Sequence, residues 1–377
     1  MRDLDIQKRE NDLAIGTFGR GIYILDDYTP IREMTKSILE KDAHIFPIKS
    51  AKMFFENDAF NKSGQGAEFF RAKNPKFGAV FTYYLKDSFK SLKSIRKKKD
   101  KDLKEDDKYE YPTFAELTTE DEEEKGYLVL VISDAAGKVV RRLTAPSAKG
   151  MHRINWDLSY SGMEPISQKT KAAKHSGFFV IPGTYKVHLA KYENNEFTDM
   201  TDPVDFNVES VMDPTFRTDD MIALNNFRNK LNNLYKAVRG TQRVCSETMT
   251  RIKDVENAML LTPNVPTSKI TSLKRLKKEL REITKTLNGN SSISKRAANQ
   301  TPSINGRVTH ILYSTAWSNA DATGTAKEQY AIISKQFPIL LSKLQKIIKV
   351  DLVEIERDLD NYKAPWTSGR IPEWKPE

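Results

Sequence analysis

The chain has 377 residues, of which 38% are hydrophobic and 30% charged, and its formal net charge is +10. This composition predicts a globular protein with more than one core and excludes collagen-like and wholly disordered chains. The single cysteine, Cys245, excludes an intrachain disulfide, and no apolar run reaches the roughly 18 residues of a membrane helix. No apolar segment follows Met1, so we predict no signal peptide on this chain.

The basic excess raises the hypothesis of a nucleic-acid-binding protein. The 61 basic residues are, however, mixed along the chain with 51 acidic residues. The sequence also lacks the usual nucleic-acid recognition motifs. Nucleic-acid binding is therefore the weakest alternative, and we predict neither a nucleic-acid partner nor a membrane span.

Residues 1–28 predict a β-hairpin. The apolar runs 12–18 and 21–25 are separated by a glycine-rich turn, and Asp26 and Asp27 end the second run. A lone hairpin is marginal in water, and strands that are apolar on both faces require neighbours on both sides. Because nothing precedes these strands in the sequence, we expect their neighbours to come from another segment or another polypeptide.

The next 180 or so residues predict a linker followed by a β domain. We interpret residues 29–76 as a linker that packs on that domain. Short alternating apolar runs fill residues 77–212, and they predict an immunoglobulin-like or fibronectin-like β-sandwich. The blocks of like charge within 87–125 bury too little apolar area to fold, so we predict a disordered loop there, with a functional charged tail as the alternative.

The last part of the chain predicts helices. In four segments of residues 213–362, apolar residues recur every three or four positions, which predicts an antiparallel helical bundle. Gly289 predicts the end of the second helix, and Pro338 predicts a kink in the fourth. Residues 363–377 contain proline and glycine, and they predict an extended tail.

Three glycines, Gly16, Gly19 and Gly21, match a phosphate-binding loop only in part. Their spacing is G-x-x-G-x-G and a strand follows, whereas a phosphate loop needs a helix N-terminus directed at the phosphate. We therefore interpret them as a tight β-turn, in which glycine accepts a positive φ angle. Arg20 lies at the tip of this turn, where it would contact either an anion or a neighbouring loop.

Few other residues form a pattern that indicates chemistry. Asp26 and Asp27 are a carboxylate pair, as glycosidases use, but adjacent strand residues point to opposite sides, which favours a strand-ending role. Trp366 and Trp374 would either stack on a sugar or anchor the tail. No histidine or cysteine spacing predicts a metal site and no nucleophile motif is present, so we predict no catalytic residue, metal or cofactor. The candidate contact residues for a ligand or an interface are Arg20, Asp26, Asp27, Trp366 and Trp374.

Several segments, taken in chain order, carry a resemblance to one family. Residues 3–27 end in N-D-L-A-I-G-T-F-G-R-G-I-Y-I-L-D-D, and this run resembles the closing blade of large BNR-type β-propeller proteins, often labelled sortilin-like or glycosyl-hydrolase-like. Phe18 and Tyr23 replace a histidine and a tryptophan that the family usually has. Further collinear matches to the family lie at 74–85, 134–141, 150–158, 180–185 and 366–374.

The resemblance implies an α+β multidomain fold at the C-terminal end of such a protein. Its parts would be a partial β-propeller blade, an immunoglobulin- or fibronectin-like β-sandwich and a C-terminal antiparallel helical bundle. Every propeller blade has two neighbours, so residues 1–28 would be the remnant of the last blade, completed by the missing propeller blades of the parent or by another polypeptide.

The resemblance also implies a function. The family is usually exported, to the periplasm or the extracellular space, and its propeller carries any ligand or catalytic site. This chain would then be a non-catalytic accessory region that braces the propeller and contributes to binding of a protein or glycan. The alternative is a part of a glycan-acting hydrolase whose catalytic residues lie in the missing propeller.

Overall fold

The computed structural model of the chain describes residues 3–19, 21–55, 75–102, 111–166, 176–193, 196–211, 220–316, 320–372 and 374. The fold is mixed α+β, with several sheets, one of them curled into a half-barrel, and a C-terminal helical region. The chain folds into two compact units. The β unit comprises Met1–Ser161 and Phe179–Asp213, and the helical unit comprises Gly162–Phe178 and Pro214–Glu377. Within the described ranges, no helix has the length and apolar character needed to span a membrane.

Residues 3–25 form a three-stranded antiparallel sheet, which we call the N-terminal sheet, rather than a two-stranded hairpin. Its strands, in spatial order, are β1 (Asp3–Gln7), β2 (Asp12–Gly16) and β3 (Ile22–Leu25). Gly19 and Gly21 have φ angles of 77° and 85°, so the predicted turn with positive φ is confirmed. The N–H of Thr17 donates to the carbonyl of Gly21 at 3.2 Å and closes this turn.

Two further sheets form the main body of the β unit. The strands after the N-terminal sheet are β4 (Ala43–Ile45), β5 (Ala51–Met53), β6 (Ala79–Leu85), β7 (Tyr127–Asp134), β8 (Val139–Ala145), β9 (Gly150–Trp156), β10 (Ser159–Ser161), β11 (Ser176–Phe179), β12 (Gly183–Glu193), β13 (Glu196–Asp199) and β14 (Val204–Ser210). One sheet has the order β5-β14-β12-β7-β8, with β13 also paired to β12, and the other has the order β4-β6-β9. The β5–β14 pair is parallel and the other pairs in these sheets are antiparallel.

One hydrophobic core joins these two sheets. Trp156 of β9 is fully buried in it, and its indole N–H donates to the carbonyl of Ser159 at 3.0 Å. The Trp156 ring lies 5.6 Å from that of Tyr185 on β12, and Phe206 on β14 contacts both rings. Alternating strand residues therefore meet across the two layers, as the period-two pattern predicts.

The segment predicted as a linker, 29–76, contributes structure of its own where it is described. After two short helices, α1 (Thr29–Glu33) and α2 (Lys36–Glu40), β4 pairs with β6 and β5 pairs with β14. These strands are only three residues long, so their alternation is too short to be recognised in the sequence. Residues 56–74 lie outside the described residues.

The charged insertion, 87–125, differs from the predicted disordered loop. Its described residues contain the helices α3 (Leu92–Asp102) and α4 (Phe114–Glu122). A bidentate ion pair joins the two helices, since Arg96 donates to both carboxylate oxygens of Glu120 at 2.7 and 3.0 Å. Thr113 and Glu116 form a capping box at the start of α4. The basic block and the acidic block therefore stabilise each other. The prediction of disorder considered each block separately and did not include this ion pair.

The helical unit is built on two long helices and several shorter ones. Its helices are α5 (Met221–Leu261), α6 (Thr267–Asn288), α7 (Ser291–Ser294), α8 (Ile304–Ala316), α9 (Gly324–Lys346) and α10 (Leu352–Asn361). The apolar stripes of α5, α6, α8 and α9 face one core, which contains Leu231, Leu280, Val308 and Ile333. Cys245 is buried on the same stripe of α5.

The sequence predicts the end of α6 and a kink in α9, and the structure can be compared with both predictions. The predicted stop at Gly289 is confirmed by its φ angle of 87°, and its N–H donates to the carbonyl of Lys285 at 2.7 Å. Pro338, at which the sequence predicts a kink, lies inside α9. The change from α-helical geometry comes later, at a π-helical turn over Ile347–Asp351 that joins α9 to α10.

The tail is folded into a turn rather than extended. Arg370 donates to the Asp360 carboxylate at 2.8 Å and to the carbonyls of Pro365 and Ala364 at 2.7 and 3.3 Å. The indole N–H of Trp366 donates back to the Arg370 carbonyl at 2.6 Å. These bonds close a compact loop, so the absence of helix-forming residues here does not produce an extended chain.

Candidate functional site

Asp26 and Asp27 follow the last strand of the N-terminal sheet and form a turn there. Asp27 has a φ angle of 48°, its N–H donates to the Asp12 carboxylate at 2.9 Å, and its own carboxylate accepts from the N–H of Thr29 at 3.3 Å. These contacts are those of a turn residue. The interpretation of this pair as strand-ending residues therefore agrees with the local geometry.

Arg153 on β9 fastens this turn to the main body of the β unit. Its guanidinium donates to the backbone carbonyls of Asp26 and Asp27 at 2.8 and 3.0 Å, and to the hydroxyl of Thr82 on β6 at 3.3 Å. The side chain thus uses its planar donor set on two neighbouring carbonyls at once. Arg153 holds the end of β3 at a defined place within the β unit.

A second cation attaches the same end of the N-terminal sheet, because the turn between β1 and β2 lies beside the end of β3. Lys49 donates a short hydrogen bond to the carbonyl of Glu10, in the turn between β1 and β2, and lies 4.0 Å from the Asp12 carboxylate. The N-terminal sheet is therefore held by its turns. Its strands make no ladder with another strand among the described residues.

One face of the N-terminal sheet is entirely apolar. Direct cross-strand partners share a face of a sheet, and the register pairs Leu4 with Ile15, Ile6 with Leu13, Ile15 with Tyr23 and Leu13 with Leu25. We call this set the apolar face. Its members are Leu4, Ile6, Leu13, Ile15, Tyr23 and Leu25. None of them is buried, and Tyr23 is 56% exposed.

The opposite face is mixed rather than apolar, which corrects the expectation of two apolar faces. Asp3, Asp5 and Asp12 alternate with the apolar residues along β1 and β2 and share this opposite face with Ile22 and Ile24 of β3. Both outer strands, β1 and β3, have open edges within the described part of the chain. Exposed apolar edge strands are uncommon in isolated domains because they favour pairing with other strands.

The folded tail presents aromatic and aliphatic side chains at the surface of the helical unit. Trp366 is 59% exposed, Ile371 87% and Trp374 83%. Gly369 has a φ angle of 96°, and a Cβ there would lie 2.5 Å from Nε of Arg251. Arg251 in turn pairs with the buried carboxylate of Glu356 on α10. The loop that contains Trp366 is therefore closely fitted to α5 and α10.

The five predicted contact residues do not form one cluster in a single unit. Asp26 and Asp27 belong to the β unit, and Trp366 and Trp374 belong to the helical unit. Arg20 lies outside the described residues. Arg153 was not among the predicted contact residues, although it lies in the segment 150–158 considered in the sequence analysis.

No group of three or more histidine, cysteine, aspartate or glutamate side chains within the described ranges has the arrangement of a metal site. Burial raises the pKa of the Cys245 thiol, which disfavours the reactive thiolate. The apolar face of the N-terminal sheet is accordingly the feature that most needs a functional explanation.

Comparison of the chain with known protein families, with curated proteins and with solved structures finds no match.

Proposed function

We propose that this chain is a non-catalytic accessory region of an exported BNR-type propeller protein, in which the N-terminal sheet docks against further β-structure. The β unit and the helical unit would brace the propeller and contribute to binding of a protein or a glycan. The observation that carries the proposal is the apolar face, with six side chains in register and none buried. Exposed apolar surface of this kind marks an interaction site.

The attachment of the N-terminal sheet supports the same proposal. Arg153 and Lys49 bind the carbonyls of its turns, at Asp26, Asp27 and Glu10. The apolar face has three exposed side chains, at Leu4, Ile6 and Tyr23, and three half-buried ones. A sheet held by its turns is positioned to receive a neighbouring blade on its face or its edge. Every blade of a closed propeller has such a neighbour.

Two contacts support the finer proposal of an immunoglobulin-like or fibronectin-like sandwich. The hydroxyl of Tyr185 donates to the carbonyl of Ile181, four residues upstream, at 2.6 Å. This resembles the tyrosine corner of such sandwiches, and the neighbouring buried Trp156 resembles their core tryptophan. A tyrosine hydroxyl is protonated at neutral pH and can donate this hydrogen bond, and burial raises the pKa of Tyr185 further above its ordinary value.

Sedimentation velocity of the full chain tests the docking proposal. Without its partner, the apolar face should drive concentration-dependent self-association, and Tyr23→Asp should weaken it because a charge would be buried there. The matched control is Ile24→Asp, which adds the same charge at the adjacent position on the opposite face. A wild-type chain that sediments as a monomer at all concentrations, or equal effects of the two variants, would count against the proposal.

Hydrolase assays with glycan substrates test the non-catalytic part of the proposal. We expect no turnover by this chain, and a glycan array would show binding without cleavage if a glycan is the ligand. Hydrolysis by the chain alone would instead support the alternative of a glycan-acting enzyme.

A further inference from the structure

A cavity of about 910 Å³ lies in the helical unit, between α6 and α9. Its volume falls in the range of about 300–1,000 Å³ that is usual for small-molecule sites. The lining residues of α9 are spaced by three and four positions, at 336, 339, 340, 343 and 346, so a single face of that helix forms one wall. All of the lining residues belong to the described part of the chain.

The floor of the cavity is apolar. Ile283 on α6, Ile304 on α8, Leu340 on α9 and Ile347 are each at most 7% exposed, and Ile339 on α9 is 63% exposed at the rim. An exposed isoleucine beside a buried aliphatic floor provides continuous surface for a hydrocarbon group. Burial of such a group is favourable in proportion to the apolar area that leaves water.

The charged side chains around the cavity are paired with one exception. The pairs are Glu282 with Lys285 at 2.7 Å, Asp351 with Lys346 at 3.7 Å and Glu279 with Arg275 at 4.0 Å. Lys343 also lines the cavity, and no carboxylate oxygen of the described residues lies within 4.0 Å of its ammonium group. The charges of the lining residues balance, since three are carboxylates and three are lysines, and Glu279 pairs with an arginine outside the lining. Lys343 is the lining lysine whose ammonium group can pair with one negative charge on a ligand.

The backbone around the cavity is unusual as well. The π-helical turn begins at Ile347 and ends at Asp351, and both residues line the cavity. Such turns are rare and occur frequently at functional sites. On the other side, Gln300 accepts from the N–H of Asn290 at 3.0 Å and donates to the Ser294 hydroxyl at 2.6 Å, which holds the loop that lines the opening.

We propose that this cavity binds an amphipathic monocarboxylate, with its hydrocarbon chain on the apolar floor and its carboxylate against Lys343. The apolar floor determines the first part of this ligand, and the ammonium group of Lys343, which has no carboxylate partner among the described residues, determines the second. This binding site is separate from the docking of the N-terminal sheet, so either proposal can fail without the other.

Isothermal titration calorimetry of the full chain with decanoate, below its micelle-forming concentration, tests the proposal. We expect one saturable site, weaker binding of neutral decanol and still weaker binding of decyltrimethylammonium. Lys343→Glu and Ile339→Asp should each weaken decanoate binding by about tenfold or more, since each places a negative charge beside the ligand. The controls are Lys335→Glu, on α9 but outside the cavity lining, and Ile222→Asp, at a similarly exposed isoleucine of α5.

A photoreactive diazirine analogue of decanoate adds a readout of position. Mass spectrometry should locate its cross-links on α6, α9 and the π-helical turn. Absence of saturable binding, equal weakening by the control variants, or cross-links at other places would each overturn the proposal. If an amphipathic helical peptide binds saturably and decanoate does not, the cavity is a protein-docking groove and the proposal is wrong.

Discussion

Arg153 donates to two carbonyls of the N-terminal sheet, at Asp26 and Asp27. Removing this guanidinium leaves both carbonyls without that donor, and hydrogen bonds to charged groups each contribute about 1.5–3 kcal/mol. We therefore predict that Arg153→Ala increases hydrogen exchange over residues 3–27, measured by mass spectrometry. Arg142→Ala, at an exposed position of β8, is the control and should leave the exchange of these residues unchanged. Unaltered protection in Arg153→Ala would show that the sheet is held by other contacts.

Glu356 is buried against Arg251, and the Arg251 side chain also contacts the tail at Gly369. Breaking a buried ion pair by removing one partner costs about 3–5 kcal/mol, because the other charge remains buried. Arg251 is partly exposed, so we expect Glu356→Ala to lower the free energy of unfolding of the helical unit by the lower end of this range. Chemical denaturation followed by helical circular dichroism measures the change. Glu354→Ala, at an exposed position of the same helix, should have little effect, and equal effects would contradict this assignment.

At the scale of elements, α3 and α4 depend on the ion pair between Arg96 and Glu120. The hydrogen bond from Arg96 lowers the pKa of the Glu120 carboxyl below its ordinary value of 4.5. A lowered pKa means that the pair stabilises the two helices above pH 4.5, and that this contribution is lost as the pH falls through the lowered pKa. We predict that Arg96→Gln raises the pKa of Glu120 towards its ordinary value, whereas Lys98→Gln, which removes a charge from the same helix, raises it less.

Carbon NMR of carboxyl-labelled glutamate measures this titration, and the Glu120→Gln variant assigns its signal. An ordinary pKa for Glu120 in the wild-type protein would contradict the bidentate pair.

The long elements could be predicted from the sequence because each repeats one pattern many times. The apolar stripe of α5 and the stop of α6 at Gly289 are examples. Short elements could not be predicted, since β4 and β5 have three residues each and depend on their partners β6 and β14. The helices of the charged insertion were missed for a related reason, because Arg96 and Glu120 are 24 positions apart and their pairing is a tertiary contact.

At the scale of the whole molecule, the β unit and the helical unit each enclose a hydrophobic core. Leu130 on β7 and Leu231 on α5 are fully buried in these two cores. A Leu→Ala substitution in a core costs about 2–5 kcal/mol. We predict that Leu231→Ala lowers the denaturant concentration at which the helical unit loses its protection from hydrogen exchange. Leu130→Ala should do the same for the β unit, and each variant should change the other unit less. Hydrogen exchange with peptide resolution in increasing denaturant measures both, and equal shifts in both units for each variant would contradict separate cores.

The candidate site could be predicted only in outline. The sequence indicates apolar strands in residues 1–28 that need neighbouring strands. Which residues share a face of the sheet, however, depends on the register of three strands, for example the pairing of Ile15 with Tyr23. The role of Arg153 was missed because it acts on backbone carbonyls, which no side-chain motif reports. The fold of the tail was missed because Arg370 closes it through Asp360, ten residues earlier.

We propose that, in the cell, β-structure from outside the described residues covers the apolar face of the N-terminal sheet. The most direct measurement is the native size of the protein in the cells that make it, determined with an antibody against the helical unit on native and denaturing gels. We expect an exported polypeptide much larger than the 43.1 kDa of this chain, or a stable complex of that size with a second β-rich chain. A 43.1 kDa monomer, retained inside the cell and without a partner, would contradict it.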